Sequence, residues 1–319
     1  MVLAGLWDIK QSSIFNVASP QADKIGAVGN GFLVAATGMF LLVAVLTVYI
    51  CRRYRARAGG PEPAQTSGNR KLEIMMVGVP LLMVTFFFFW SLKTMSAVLP
   101  PRPANRTPDV IITGHQYWWQ ADYPANRIST ANEIHLPVGR KLLVALRAAD
   151  VIHDWWVPAL GAKMDMIPGT ENYLWITITR PGTYLGGCSE FCGQEHAWMR
   201  IRVIAQEPKD YEQWLVSQAA IDKLPADSLT TKGAGLFMHA SCSSCHSIRG
   251  TAAVGTDGPD LSHFAGRRTM LTGIQKVSKQ NIYLWLLDPQ KVKPGAHMPK
   301  FIFGRDSLLA LTAYLSSLK

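Results

Sequence analysis

Two long uncharged apolar runs dominate the first hundred residues. Residues 32–50 and 74–92 are each 19 residues long and contain no charged side chain, which is close to the roughly 20 residues that cross a bilayer as a helix. A buried helix of a soluble protein would show a polar stripe, and neither run does. The pattern predicts a transmembrane hairpin over 31–95, with helices at about 31–51 and 73–93.

The connection between the two runs is basic. Residues 52–71 contain six arginine and lysine residues and one acidic residue, and short loops rich in Arg and Lys stay on the cytoplasmic side. We therefore expect this loop in the cytoplasm. The N-terminal segment 1–30 and everything after Lys93 are expected on the outer side of the membrane.

Beyond the proline-rich stretch at 100–103, apolar and polar positions alternate with a period of two between Gly and Pro turns. This pattern is typical of β-strands. Short strands at this spacing indicate a β-sandwich or Greek-key barrel over residues 108–220, closed by a short amphipathic helix over 208–220. The predicted strands are 110–123, 140–146, 172–179, 182–186 and 199–205.

The last hundred residues return to a helical period. A linker near Pro225 leads into a predicted all-α domain over 226–319. Its last helix, over 306–318, has leucines at helical spacing on one face (Leu308, Leu311, Leu315 and Leu318). The fold class is therefore a multi-domain membrane protein: a helical hairpin, a sandwich and a helical domain.

The net charge of +10 is unevenly distributed. Residues 108–219 contain 9 basic and 12 acidic side chains, net −3, and residues 220–319 contain 12 basic and 6 acidic, net +6. The basic excess lies in the cytoplasmic loop and the C-terminal domain, not in one groove, so we expect no nucleic-acid partner.

One short segment of the sandwich concentrates metal-binding chemistry. In CSEFCGQEHAWM, Cys188 and Cys192 are followed by His196 and Met199. Thiolate, thioether and imidazole ligands select copper or zinc, and methionine favours copper. Two neighbouring thiolates suit a pair of coppers, with His153 far upstream as a second imidazole. The alternatives are a structural zinc site, whose cysteines are usually closer in sequence, and a disulfide.

His153 and the CSEFCGQEHAWM segment resemble the binuclear copper A site of cytochrome c oxidase subunit II. The resemblance implies a cupredoxin-like fold for the sandwich. It also implies that the Glu190 carboxylate reaches a magnesium or manganese ion shared with the catalytic subunit. The implied copper ligands are His153, Cys188, Cys192, His196, Met199 and the backbone carbonyl of Glu190.

The run GHQYWW at 114–119 also resembles subunit II, where the aromatic residue after the glutamine lies near the copper and admits the electron. That residue is Tyr117 here, followed by Trp118 and Trp119, and better-known relatives have Trp at this position. The alternative is that these aromatic residues are ordinary sandwich core.

Two acidic residues also match segments of the family. Glu73, seven residues before Pro80, resembles an acid near a proton-uptake path, although Met76 and Val77 replace the usual Trp-Thr. Asp165 lies in a segment that resembles the contact with the catalytic subunit. The alternatives are an interfacial carboxylate for Glu73 and a solvated turn for Asp165.

The segment Cys242-Ser243-Ser244-Cys245-His246 is the CxxCH signature for covalent attachment of a c-type haem. With GPDL at 258–261 and KPGAHMP at 293–299, it resembles class I cytochrome c. The resemblance implies that His246 is the proximal ligand, that Met298 rather than His297 is the distal ligand, and that the Pro259 carbonyl accepts the proton of the proximal imidazole.

The three segments together resemble subunit II of a caa-type cytochrome c oxidase with a fused C-terminal cytochrome c domain. This implies an electron-input subunit of an oxidoreductase and translocase, without a complete active site in this chain. Electrons would pass from a cytochrome c or another periplasmic or membrane donor through haem c and copper A to subunit I, which reduces oxygen, with subunit III as a further partner. The implied location is the bacterial inner (cell) membrane, crossed twice. The alternative is the corresponding subunit of a copper A-containing nitric oxide reductase.

Overall fold

The computed structural model describes residues 11–55, 59–60, 62, 68–102, 105–221 and 227–319. The predicted linker residue Pro225, Pro103 of the proline-rich stretch and Arg57 of the basic loop lie outside the described residues. The chain forms two compact units. One is Lys24–Leu99, and the other joins the residues up to Asp23 with Pro100–Lys319.

Both predicted membrane helices are present and both are longer than predicted. Helix α1 is Pro20–Arg53 and helix α2 is Arg70–Val98, against predictions of 31–51 and 73–93. The apolar runs mark only the part of a helix that lipid can cover, and polar residues extend each helix beyond it. Both helices are long and apolar enough to cross a membrane.

Helix α1 begins at Pro20, well before the predicted start near residue 31. The Ser19 hydroxyl accepts a hydrogen bond from the Ala22 amide at 3.0 Å, and Pro20 is the first helical residue. Serine at the cap followed by proline is a typical helix start. The start of α2 is capped in the same way by Asn69, which accepts from the Leu72 amide at 3.2 Å.

The helical unit packs through aromatic rings on α2. Phe32 and Phe87 have ring centroids 5.8 Å apart, and a Cβ added at Gly31 would lie 2.7 Å from the Trp90 ring. Most other large apolar side chains of the two helices are exposed, such as Leu82 at 71%. Exposed apolar faces of this extent fit helices that are surrounded by lipid.

Residues 110–206 form two five-stranded sheets, as predicted for a sandwich. The strand order is β3-β2-β1-β5-β8 in one sheet and β4-β10-β9-β6-β7 in the other. The strands are β1 Val110–His115, β2 Trp118–Tyr123, β3 Ile128–Ala131, β4 Glu133–Pro137, β5 Lys141–Ala148, β6 His153–Trp156, β7 Met164–Met166, β8 Asn172–Thr177, β9 Gly182–Cys188 and β10 Arg200–Gln206.

The single strand predicted over 110–123 is an antiparallel hairpin of β1 and β2. The apolar pattern runs through the turn, where Gln116 and Tyr117 stand in place of the usual Gly, Asn or Asp. A contact from elsewhere in the sandwich supports this turn, because the Gln116 amide donates to Asp150 Oδ2 at 2.6 Å. Strands β3, β4, β6 and β7 were not predicted, since each has only three to five residues.

The sandwich core is aromatic and aliphatic, with Trp119 and Trp155 almost fully buried. Helix α3, Pro208–Ala219, covers one end of the sandwich and buries Tyr211 and Leu215. Trp214 of this helix stacks on His135 with ring centroids 4.1 Å apart.

The C-terminal region is helical, as predicted. Its longest helices, α4 Ser228–His239 and α8 Arg305–Ser317, cross closely at Gly233, where an added Cβ would lie 2.0 Å from the Ala310 carbonyl oxygen. The buried core includes Phe237 and Tyr314. The other elements are α5 Cys242–Cys245, β11 Thr269–Met270, β12 Gln275–Lys276, α6 Lys279–Leu287 and α7 Pro289–Val292.

Candidate metal and haem sites

Five predicted copper-binding side chains meet at one end of the sandwich. His153 begins β6, Cys188 ends β9, and Cys192 follows in the connection to β10. His196 opens a 3₁₀ turn, His196–Trp198, and Met199 directly precedes β10. Strands that pair within one sheet therefore deliver side chains from distant parts of the chain to one place.

The sulfur and nitrogen atoms lie at separations that a metal pair can bridge. The two Sγ atoms are 3.8 Å apart, far beyond the ~2.05 Å of a disulfide, and both cysteines are free. Each sulfur has an imidazole Nδ1 near it, His153 at 3.9 Å from Cys188 and His196 at 3.7 Å from Cys192.

Two further donors complete the group. Met199 Sδ lies 3.7 Å from Cys192 Sγ, and the Glu190 carbonyl oxygen lies 3.2 Å from Cys188 Sγ. The set contains two thiols, two imidazoles, a thioether and a carbonyl, which is a soft donor set suited to copper. His153 and Met199 are at most 1% exposed, whereas Cys188 and His196 are partly exposed. The residues present fit a copper pair.

The two thiols differ in acidity because they share one proton. The hydrogen bond between the two thiols lowers the pKa of Cys188 to about 3 and raises the pKa of Cys192. The lowered pKa of Cys188 favours its thiolate, which is the form that binds metals.

Asp150 holds the outer nitrogen of His153, and sequence reasoning missed this residue. Its Oδ1 lies 2.8 Å from His153 Nε2. Burial alone would lower the pKa of His153, but the hydrogen bonds to Asp150 and Cys188 raise it to about 8. The carboxylate fixes the ring so that Nδ1 faces the cysteines, an arrangement typical of metal-binding histidines. The only available signal was an acid three residues before the histidine.

The three aromatic residues predicted to admit electrons have different surroundings. Trp119 is fully buried and its ring centroid lies 6.0 Å from that of His153. Trp118 stacks on His115 at 4.1 Å between centroids. The Tyr117 hydroxyl accepts a hydrogen bond from the Gln194 amide at 3.0 Å. Tyr117 therefore contacts the segment that contains Cys188 and Cys192.

The CxxCH segment places its two thiols at the ends of the one-turn helix α5. His246 Nδ1 lies 2.8 Å from the Pro259 carbonyl oxygen. Nδ1 therefore donates its proton to that oxygen, and Nε2 is left as the nitrogen that can bind a metal. Burial lowers the pKa of His246, which keeps the imidazole neutral near pH 7.

The downstream methionine lies beside the core of the same domain. Met298 is partly buried and packs against the cluster that includes Phe237, whereas His297 is exposed. Two free thiols, an imidazole with Nε2 available and a nearby thioether fit a covalently attached haem.

Two family models match the chain, namely the cytochrome c oxidase subunit II periplasmic domain over residues 125–206 and cytochrome c over residues 230–319. Cytochrome c oxidase subunit 2 of Alkalihalophilus pseudofirmus is 34% identical over 285 residues, which cover 88% of this chain and 82% of that protein. The chain belongs to the cytochrome c oxidase subunit II family. Cytochrome c oxidase subunit 2 of Bacillus sp. (strain PS3) is 30% identical over 287 residues, covering 83% of this chain and 80% of that protein.

Among solved structures, the periplasmic domain of subunit II of cytochrome oxidase from Bradyrhizobium japonicum is 32% identical. The match covers 35% of this chain and 95% of the Bradyrhizobium domain, with a TM-score of 0.34. Subunit II is part of an oxidoreductase, and its two domains imply copper A and haem c as cofactors. The predicted cupredoxin-like sandwich and the fused cytochrome c domain are confirmed.

Three predicted acidic residues of this subunit II are exposed. Glu190 lies in the connection after β9, and Asp165 lies on β7 in register with Asp154 of β6. Glu73 is in the first turn of α2. Asp154 itself is buried, which raises its pKa to about 7.

Two long apolar helices and a periplasmic-domain match fit a membrane protein with a domain on the outer side.

Proposed function

We propose that this subunit accepts electrons from a donor through haem c and passes them through copper A to the catalytic subunit that reduces oxygen to water. The observation that carries the proposal is the placement of both donor sets within one compact unit of one chain. The domain boundaries proposed for this function are 31–95 for the membrane hairpin, 108–220 for the copper domain and 226–319 for the cytochrome domain.

The proposed copper ligands are the six groups whose separations are given above. These are His153, Cys188, Cys192, His196, Met199 and the Glu190 carbonyl. Copper A and haem c, when bound, each supply a centre that changes its charge by one electron. The protein would hold the ligands of each centre in place, with Asp150 orienting His153 and the Pro259 carbonyl orienting His246.

The proposed haem ligands are His246 and Met298, with Cys242 and Cys245 forming the covalent links. A contact between the two domains supports transfer from the haem side to the copper side. The ring of His297, next to Met298, lies 5.4 Å from the ring of Tyr117 between centroids. Tyr117 in turn binds the Gln194 amide, two residues from Cys192.

The remaining assignments concern partners. Glu190 is exposed next to the copper ligands, which suits a magnesium or manganese ion shared with subunit I. We assign Asp165 to the contact with subunit I, Glu73 to proton uptake, and subunit III to the same complex.

The electron donor is a cytochrome c or another periplasmic or membrane carrier. The bacterial relatives and the basic loop at 52–71 support a two-pass protein of the bacterial cell membrane.

The test is purification of the complex from native membranes, followed by metal and haem analysis and assays of oxygen and nitric oxide consumption. We expect two coppers and one haem c per copy of this chain, and donor-driven oxygen consumption. Consumption of nitric oxide without oxygen consumption would assign the chain to a nitric oxide reductase instead. A preparation with zinc and no copper would contradict the proposal.

A further inference from the structure

A buried ion pair joins the copper domain to the cytochrome domain. We define the copper loop as residues 188–199 and the methionine loop as residues 293–299. Lys293 Nζ lies 2.7 Å from Glu195 Oε2, and the two residues are only 4% and 3% exposed. The same ammonium group donates to the Tyr117 carbonyl oxygen at 3.2 Å.

Burial decides what this pair contributes. Exposed ion pairs add little to stability because water and salt screen them. A buried charge whose partner is removed is strongly destabilising, since it has lost its hydration and gained nothing in return. Docking removes the hydration of both charges, and only their pairing offsets that cost, so the docked arrangement depends on the contact between Lys293 and Glu195.

The methionine loop also fits the copper loop by shape. Gly295 has φ +95°, and an added Cβ would lie 2.9 Å from the Gln194 side chain. The ring of His297 contacts the ring of Tyr117. Every second residue from 293 to 297 therefore contacts the copper domain. Glycine is favoured at 295 both by its backbone angle and by the close approach.

A second group of contacts lies away from the methionine loop. The buried Glu133 carboxylate of β4 accepts hydrogen bonds from the Arg268 amide at 3.0 Å and from the Thr269 amide and hydroxyl at 2.9 and 2.7 Å. Thr272 Oγ1 also donates to the Trp198 carbonyl at 2.6 Å. Two separate groups of contacts fix both the position and the orientation of one domain on the other.

We propose that Glu195 and Lys293 are positioning residues that hold the cytochrome domain in one docked arrangement on the copper domain. This inference rests on the proposed electron transfer between the two sites. It predicts that the electron passes within a preformed contact. A cytochrome domain that moved freely on its linker would have to find the copper domain before each transfer.

A double-mutant cycle in the full, cofactor-loaded complex tests the pair. The variants are Lys293→Met, Glu195→Leu and the two combined, with exposed Lys291→Met as the matched control. The readouts are amide hydrogen exchange in the two loops and the rate of haem-to-copper transfer after flash reduction, measured at two solvent viscosities. Exchange reports docking independently of turnover.

Each single variant leaves one buried charge without its partner, so we expect loop protection to fall at least tenfold, equivalent to ~1.4 kcal/mol. Electron transfer should become slower and dependent on viscosity. The combined variant removes both charges, so its loss of protection should be smaller than the sum of the two single losses but should not vanish. Lys291→Met should change neither readout.

Unchanged protection in both single variants would overturn the proposal, and so would a combined loss equal to the sum of the single losses. Should Lys293→Met fail to fold, Lys293→Gln takes its place in the cycle. This result differs from a failure of the proposed function. If the proposed function is wrong, the unmodified protein will lack copper or haem. If only the docking role is wrong, both cofactors and oxygen consumption will remain.

Discussion

Asp150 Oδ1 lies 2.8 Å from Nε2 of His153, the nitrogen that faces away from the cysteines. Because this contact fixes the ring orientation, we expect Asp150→Asn to weaken copper binding by about 10–100-fold, the usual cost of losing such a partner. The measurement is a competition titration against a copper chelator. The exposed Asp210→Asn is the control, and equal affinities for the two variants would rule out the orienting role.

Met298 and His297 are neighbours, and we assign only the methionine to the haem. Met298→Leu should remove the distal thioether and lower the reduction potential, since Met/His ligation raises it. His297→Leu should leave the haem spectrum and potential unchanged. Redox titration with absorption spectroscopy measures both variants. The reverse result, a change with His297→Leu alone, would make the histidine the ligand.

Gly258 gives His246 the room that it needs. An added Cβ would lie 2.5 Å from the His246 ring, so Gly258→Ala should displace the ring from the Pro259 carbonyl and destabilise the haem domain by about 1–3 kcal/mol. Gly235→Ala is the matched control, because it lies in α4 with nothing within 4 Å of the added atom.

The measurement is thermal unfolding of both glycine variants followed at the haem absorption band. The control should be neutral or stabilised, because alanine favours helix by about 1 kcal/mol. A Gly258→Ala protein as stable as the control would show that the proximal histidine tolerates the added methyl group.

We expect His135 to make the copper domain sensitive to acid. Burial lowers its pKa from 6.5 to about 4, against the opposing hydrogen bond to Gln206. Between pH 6.5 and about 4, His135 therefore binds a proton more readily in the unfolded chain than in the folded one. The contribution of the neutral imidazole to folding stability is fully present above pH 6.5 and is lost as pH falls towards 4. The shift corresponds to a loss on the order of 3 kcal/mol.

Thermal unfolding between pH 7 and 4 measures this dependence. His135→Phe retains an aromatic ring that can stack on Trp214 but cannot bind the proton, so its midpoint should fall less steeply with pH. The exposed His239→Gln should keep the original slope. Parallel slopes for His135→Phe and the unmodified protein would assign the acid sensitivity to other groups.

The elements that sequence analysis identified are those with a strong local signal. The uncharged runs at 32–50 and 74–92 predicted both membrane helices, the apolar run within 140–146 predicted β5, and the alternation of 199–205 predicted β10. Composition says little where a helix continues in polar residues, so the start of α1 at Pro20 was missed although Ser19-Pro20 marks it.

Most candidate ligands were likewise predicted because their spacing is local, within 188–199 and 242–246, whereas the distant His153 and Met298 fit the pattern of the family that the chain resembles. Contacts that depend on the tertiary fold were not. Glu195 and Lys293 resemble solvated surface charges in the sequence, and only the docked arrangement buries them together. The turn at Gln116 is similar, because the stabilising Asp150 carboxylate comes from a distant part of the chain.

Electron paramagnetic resonance of the oxidised, purified subunit, together with metal analysis, shows whether Cys188 and Cys192 are ligands of a copper pair. We expect two coppers per chain and one unpaired electron whose hyperfine pattern is shared equally by both nuclei. A single zinc ion, or one copper with the spin confined to one nucleus, would rule out the copper pair.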